Sequence, residues 1–295
     1  MAGRSWMARA ARLCFVAVLA WPIAPASAYG QVGVAPGHQG VSIEYEVVST
    51  GSPTLVFVHG WMCDRTYWRE QRAHFSDRFG VVLLDLGGHG HSGADRTDWS
   101  IDGFAGDVVA VLEALKLSDA ILVGHSMGGP VVAEAALLAP ERFRAVVGAD
   151  TYQYLGAPWL RGQGVPNLVA RLENDFVGTA TGFVNGMFTG DFDPGLKQVV
   201  LEGMTAGSPA VGTPSTGSMF EWYRDRAVQS LNAIRQPLWT INSADYVGTD
   251  VQQLQGLVPH IHVRFLDDVG HFVMLEAPAV FNRTLDEVIS GILAN

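Results

Sequence analysis

The sequence predicts an α/β fold, a mostly parallel, doubly wound sheet with an inserted cap. Three observations predict it. Short, nearly continuous apolar runs recur at Leu55 to Val58, Val81 to Leu84, Ala120 to Val123, Ala145 to Val147 and Pro237 to Ile241. Strands of that kind need cover on both faces, which a parallel sheet between helices supplies. Amphipathic stretches lie between them, at 102–116, 130–139 and 278–293, and strand-helix-strand repeats wind a sheet on both sides. The rhythm then stops between Tyr152 and Arg235, in a segment rich in Gly, Pro and aromatic residues.

The elements follow in order. Residues 1–28 read as a secretory signal peptide: Arg4, Arg9 and Arg12 precede an apolar stretch from Leu13 to Ile23, and Ala26-Ser27-Ala28 supplies the small residues of a cleavage site. The apolar run is broken by Pro22 and Pro25 and falls short of the roughly 20 residues that a membrane span needs. Export to a periplasm or to the medium is therefore expected, and no later segment is apolar enough to span a bilayer. Cleavage removes three arginines and no acid, taking the formal net charge from −10 to −13. An acidic chain without a basic stripe is a poor partner for nucleic acid. With 48% hydrophobic and 16% charged residues the chain has material for a large core, which excludes an intrinsically disordered protein.

After the signal, Val41, Ile43, Tyr45 and Val47 alternate with polar residues, the period of a half-buried strand near a sheet edge. The next runs build the sheet, with Phe104, Val108, Val111, Leu112 and Leu115 marking one stripe of the helix at 102–116. The division expected is a core of 29–151 and 236–295 with a cap of 152–235 over the carboxyl edge of the sheet, where α/β proteins bind ligands. Cys14 leaves with the signal peptide, so Cys63 is expected alone, as a packing residue rather than a catalytic thiol.

The chemistry is concentrated in Gly124-His125-Ser126-Met127-Gly128-Gly129, directly after an apolar strand and directly before a helical stretch. A serine on so tight a turn needs glycine two positions to either side, because side chains there would meet neighbouring backbone. The turn lifts the hydroxyl out of the sheet at the positive end of a helix dipole. Serine is a weak nucleophile at its ordinary pKa, so it requires a base in hydrogen-bond reach and a carboxylate to hold that base.

This motif resembles the nucleophile elbow of the α/β-hydrolase family, and the resemblance extends along the mature chain through His59-Gly60-Trp61, Asp85 to Ser92 and Gly270-His271-Phe272. The family order of nucleophile, acid and histidine implies Ser126 as nucleophile and His271, on a loop after the last strand, as base. The acid is assigned to Asp245, beyond the penultimate strand, although Asn242 or Ser243 stands where the family commonly has glycine. Asp150, which ends the preceding strand, is the rival, and Asp250, Asp267 and Asp268 lie close in sequence. The family's oxyanion donors would be the backbone N–H groups of Trp61 and Met127, with His59 bracing the loop. The H-x-H pairs His89/His91 and His260/His262, with Asp95, suggest a metal site only weakly, so neither metal nor cofactor is expected.

The resemblance implies a serine hydrolase acting on small to medium apolar esters, since an aromatic-rich cap favours uncharged ligands. Lactonase, carbon-carbon hydrolase and cofactor-free perhydrolase chemistry would use the same triad. Epoxide hydrolases and haloalkane dehalogenases of this fold use an Asp nucleophile, which Ser126 disfavours. A ligand-binding protein that keeps the triad is the non-enzymatic alternative.

Overall fold

The computed structural model describes residues 30–189 and 192–294. The expected signal peptide lies outside them. Strands β1 (Gln31–Pro36), β2 (Ser42–Ser49), β3 (Thr54–Val58), β4 (Gly80–Leu84), β5 (Ala120–His125), β6 (Phe143–Ala149), β7 (Leu238–Ser243) and β8 (Ile261–Leu266) form one sheet in the order β1-β2-β4-β3-β5-β6-β7-β8. Pairing is antiparallel from β1 to β2 and from β2 to β4, and parallel from β4 onward. Every residue of β3, β4 and β5 is buried, as the unbroken apolar runs require.

The alternating strand is β2, near the edge as expected, with β1 outside it. Val32 and Val34 of β1 alternate but face solvent at 60% exposure each, while Ala35 is buried. The larger apolar side chains thus fall on the wrong face to signal a strand against the core.

Helices α1 (Arg69–Phe75), α2 (Ile101–Ala114) and α3 (Gly128–Leu138) connect the central strands. The chain steps from β3 to β4 in one direction, then crosses back over β3 to β5. With right-handed crossovers this reversal puts α1 on one face and α2 and α3 on the other. Helix α2 begins where Ser100 Oγ accepts the Gly103 N–H at 3.0 Å, and it buries Phe104, Val108, Val111 and Leu112. The reversal creates a crevice at the carboxyl ends of β3 and β5, the usual ligand position in such sheets.

Between β6 and β7 the chain leaves the sheet for α4 (Gly164–Asn174), α5 (Phe176–Asn185), α6 (Pro194–Thr205), α7 (Pro209–Asp225) and α8 (Ala227–Ala233). Asp175 and Asp193 cap α5 and α6 by accepting the N–H groups of Gly178 and Leu196. Buried Glu134 of α3 ties this segment down, accepting from Trp222 Nε1 at 2.5 Å, Ser230 Oγ at 2.5 Å and Arg226 at 2.9 Å. The chain closes with α9 (Val251–Leu257), α10 (Val273–Glu276) and α11 (Pro278–Leu293), the last packing on α1. No helix of the described residues is long and apolar enough to cross a membrane.

Candidate active site

Ser126 sits between β5 and α3 with φ +54°, a left-handed conformation that a non-glycine residue adopts only when its surroundings enforce it. They do so through three bonds. The Ser126 N–H donates to Ala149 O at 3.1 Å, and Ser126 O accepts from Gly129 N at 2.9 Å and from Thr151 Oγ1 at 3.0 Å. The flanking glycines follow from sterics. A Cβ on Gly124 would collide with the Gly128 carbonyl, and one on Gly128 would lie 2.6 Å from Val58 O and 2.7 Å from His59 O. The first turn of α3 has no side-chain cap, and its Gly129 N–H is taken by Ser126 O.

The loop after β3 presses against this turn, since a Cβ on Gly60 would come within 3.1 Å of Ser126 Cβ. Its shape is fixed by His59, whose Nε2 accepts the Leu86 N–H at 3.0 Å while Nδ1 lies 2.8 Å from Gly60 O. His59 braces the loop, as expected. The Trp61 ring leaves the sheet side and donates from Nε1 to Gly212 O of α7 at 2.8 Å.

His271 lies on the loop between β8 and α10, buried, and its backbone is held on every side. Its N–H donates to Met187 O at 2.8 Å, and its neighbours Gly270 and Phe272 donate to Glu276 Oε2 at 2.7 Å and Oε1 at 3.0 Å. The His271 carbonyl lies 3.0 Å from Nε2 of His125, the residue before Ser126, and the two imidazole rings are 4.7 Å apart. Elbow and histidine loop are therefore joined directly.

The expectation for the carboxylate is corrected here. His271 Nδ1 lies 2.5 Å from Asp150 Oδ2, and no contact links it to Asp245. Asp150 follows β6 with φ +44°, is buried, and its Oδ1 accepts the Ser243 N–H at 2.8 Å. Asp245 is exposed, and its Oδ2 accepts the Asp268 N–H at 2.7 Å, a tie between two loops. The physical reason lies in the two residues that depart from the family pattern. Asn242 accepts the Thr151 N–H and donates to Thr151 O, bracing the turn beyond Asp150, while the Ser243 amide feeds the Asp150 carboxylate. The end of β7 is thus built to serve an acid on β6.

Burial dominates the electrostatics. It pushes His271 down to about 3, so the ring is neutral at physiological pH. It pushes Asp150 well above the usual carboxylate range, against a pull downward from the Ser243 N–H. Cys63, also buried, is raised far above its ordinary thiol value, first by burial, which fits packing rather than nucleophilic attack.

Ser126, His271 and Asp150 line one narrow cavity. Met187, Met204 and Met219 join Phe183 and Phe220 in its wall, contributed by the segment between β6 and β7. Gly60 and Trp61 border it beside the nucleophile. Among the described residues, Glu44, Asp85 and His91 could gather around a metal ion, but Arg65 already bridges the two carboxylates at 2.6 and 2.7 Å. The other suspected H-x-H pair, His260/His262, is not part of this cluster.

Comparison with known proteins agrees with this architecture. A family model described as the alpha/beta hydrolase fold matches residues 53–186. The chain is 27% identical over 263 residues to a 3-oxoadipate enol-lactonase of Acinetobacter baylyi, covering 85% of this chain and 94% of the relative. A solved N-acyl homoserine lactone degrading enzyme is 28% identical, with TM-score 0.70 over 86% of this chain and 99% of that one. An esterase from Exiguobacterium antarcticum, 19% identical, superposes with TM-score 0.77 over 88% of this chain and all of its own, a likeness of fold. Sheet order and the matched family model give the chain the alpha/beta hydrolase fold, and its relatives support a hydrolase of the esterase and lactonase kind.

Proposed function

We propose that this protein hydrolyses carboxylic esters, cyclic esters included, through an acyl-enzyme on Ser126. The observation that carries the reading is the shared cavity of Ser126, His271 and Asp150, with the His271 ring bonded to the acid through Nδ1. Nε2 of the neutral ring takes the Ser126 proton as Oγ bonds to the ester carbon, and the carbonyl oxygen becomes an oxyanion. The amides of Met127 and Trp61 receive that charge, one at the start of α3 and one on the loop that abuts the nucleophile. Collapse breaks the bond to the alcohol, which leaves with the proton held on His271. Water then repeats the sequence on the acyl-enzyme and frees the acid. Asp150 holds the proton-bearing Nδ1 throughout.

The methionine- and phenylalanine-rich wall suits an apolar acyl group of small to medium size, because such side chains adapt to hydrocarbon and offer few hydrogen bonds. Lactones belong within this reading, since the enol-lactonase and the lactone-degrading enzyme are among the relatives of this chain. A lactone differs only in keeping its leaving alcohol tethered. The basic, apolar and small-residue order of residues 4–28 supports export, to a periplasm or to the medium.

The test is hydrolysis of 4-nitrophenyl butyrate by the wild type and by Ser126→Ala. A loss of at least about a thousandfold with an unchanged melting temperature is expected. Hydrolysis at the wild-type rate by the variant would overturn the assignment.

A further inference from the structure

The cavity wall contains a polar group with no use in the steps above. Gln153 stands three residues beyond Asp150 in the segment leaving β6, and it lines the cavity. Its Nε2 faces the Asp150 carbonyl oxygen at 3.4 Å, which sets the amide's orientation. Its Oε1 is buried, and no donor among the described residues reaches it. The neighbouring polar groups are engaged. Tyr223 Oη bonds with Thr151 Oγ1 at 2.9 Å and accepts the Tyr152 N–H at 3.0 Å. His125 turns its remaining unpartnered atom, Nδ1, toward Gly60 beneath the loop.

We propose that Gln153 sets substrate specificity by accepting a hydrogen bond from an N–H carried close to the scissile carbonyl. An amide oxygen sealed from solvent without a donor is unfavourable, so the fitting occupant is one that brings a donor. Two further features define the class. Gln153 lines the same narrow cavity as Ser126 and His271, which puts its acceptor beside a substrate held at Ser126. Beyond these polar groups the wall is largely Met and Phe, with Trp61 and Cys63, which takes hydrocarbon and offers little to a charge. An N–H beside the ester carbon with an acyl chain beyond it meets both demands, which describes the esters and lactones of N-acylated α-amino acids. This inference rests on the hydrolase reading and narrows it.

The experiment uses two methyl esters of equal length, N-hexanoylglycine methyl ester and methyl 4-oxononanoate, in which CH₂ replaces the N–H. Hydrolysis is followed by pH-stat, and kcat/KM ratios are divided by the ratio for hydroxide. The wild type is expected to favour the N–H ester by roughly 10- to 100-fold. Gln153→Met should bring the corrected ratio within about threefold of unity, and partial misfolding cancels because both esters meet the same enzyme. A wild-type ratio equal to that of hydroxide, or a preference that survives in Gln153→Met, overturns the inference. So does failure to cleave either ester while 4-nitrophenyl butyrate is still hydrolysed, an outcome that leaves the hydrolase reading intact. No turnover of any of the three esters removes both.

Discussion

The imidazole Nδ1 of His271 lies 2.5 Å from Oδ2 of Asp150, joining the loop after the eighth strand to the end of the sixth. The same carboxylate takes the Ser243 amide on its other oxygen, so both oxygens of a buried group are satisfied. A base held this way keeps one tautomer and one orientation, with Nε2 left for the nucleophile.

Burial lowers His59, His89, His125 and His271 from 6.5, His89 and His271 to about 3. For a base whose folded value is lowered, the neutral form persists at pH values where the free imidazole is already charged. The acid limb of kcat/KM should therefore have its midpoint below 6.5, measured from pH 4.5 to 8.5. A midpoint at or above 6.5 would contradict the burial argument.

Stability should depend on pH for the same reason. Below pH 6.5 the unfolded chain binds protons at these histidines that the folded chain refuses, so stability falls with pH by up to about 1.4 kcal/mol per unit for each. The rise of Asp150, Asp107 and Glu276 above their ordinary values, chiefly by burial, acts in the opposite sense. The lowered histidines, charged below pH 6.5 only once unfolded, predict net proton uptake on unfolding at pH 5.5 to 6, readable from urea midpoints across pH. Net proton release there would be the contrary result.

Two glycines should respond in opposite directions to alanine. Gly128→Ala drives a methyl into the carbonyls of Val58 and His59, backbone that cannot yield, and should cost about 3 kcal/mol or more. Gly182 lies exposed within α5 with nothing within 4 Å of its Cβ position, so Gly182→Ala should add about 0.5–1 kcal/mol. Thermal unfolding of both variants measures the contrast.

Glu276 is expected to matter without touching substrate, because its two oxygens hold the amides on either side of His271. Glu276→Ala leaves two N–H groups without their acceptor and should cost about 2 kcal/mol in stability. Loss of register in the histidine loop should lower kcat by roughly tenfold with KM little changed. Steady-state kinetics beside a urea titration separates the two effects.

Much of this was legible in the sequence, for reasons tied to particular residues. The buried runs of β3 to β7 announced themselves because strands covered on both faces are apolar at every position. Ser126 was legible because the elbow needs Gly124 and Gly128, which leave a pattern in one stretch of chain. The acid was not, because a carboxylate bonded to His271 can come from any strand end that reaches it, and strand adjacency is a property of the sheet order. Asn242 and Ser243 carried the available signal. Their departure from glycine marks a β7 end that braces Thr151 and donates to Asp150. Gln153 was silent too, since only burial and the lack of a donor distinguish it from any other glutamine.

The most direct test of the account compares Asp150→Asn with Asp245→Asn in kcat/KM for 4-nitrophenyl butyrate. Asparagine at 150 presents an amide where His271 needs an acceptor, and a fall of roughly 10³- to 10⁴-fold is predicted. Asparagine at 245 disturbs one exposed bond to the Asp268 amide and should stay within about fivefold of wild type. The reverse pattern, with Asp245→Asn inactive and Asp150→Asn near wild type, would contradict the site described above.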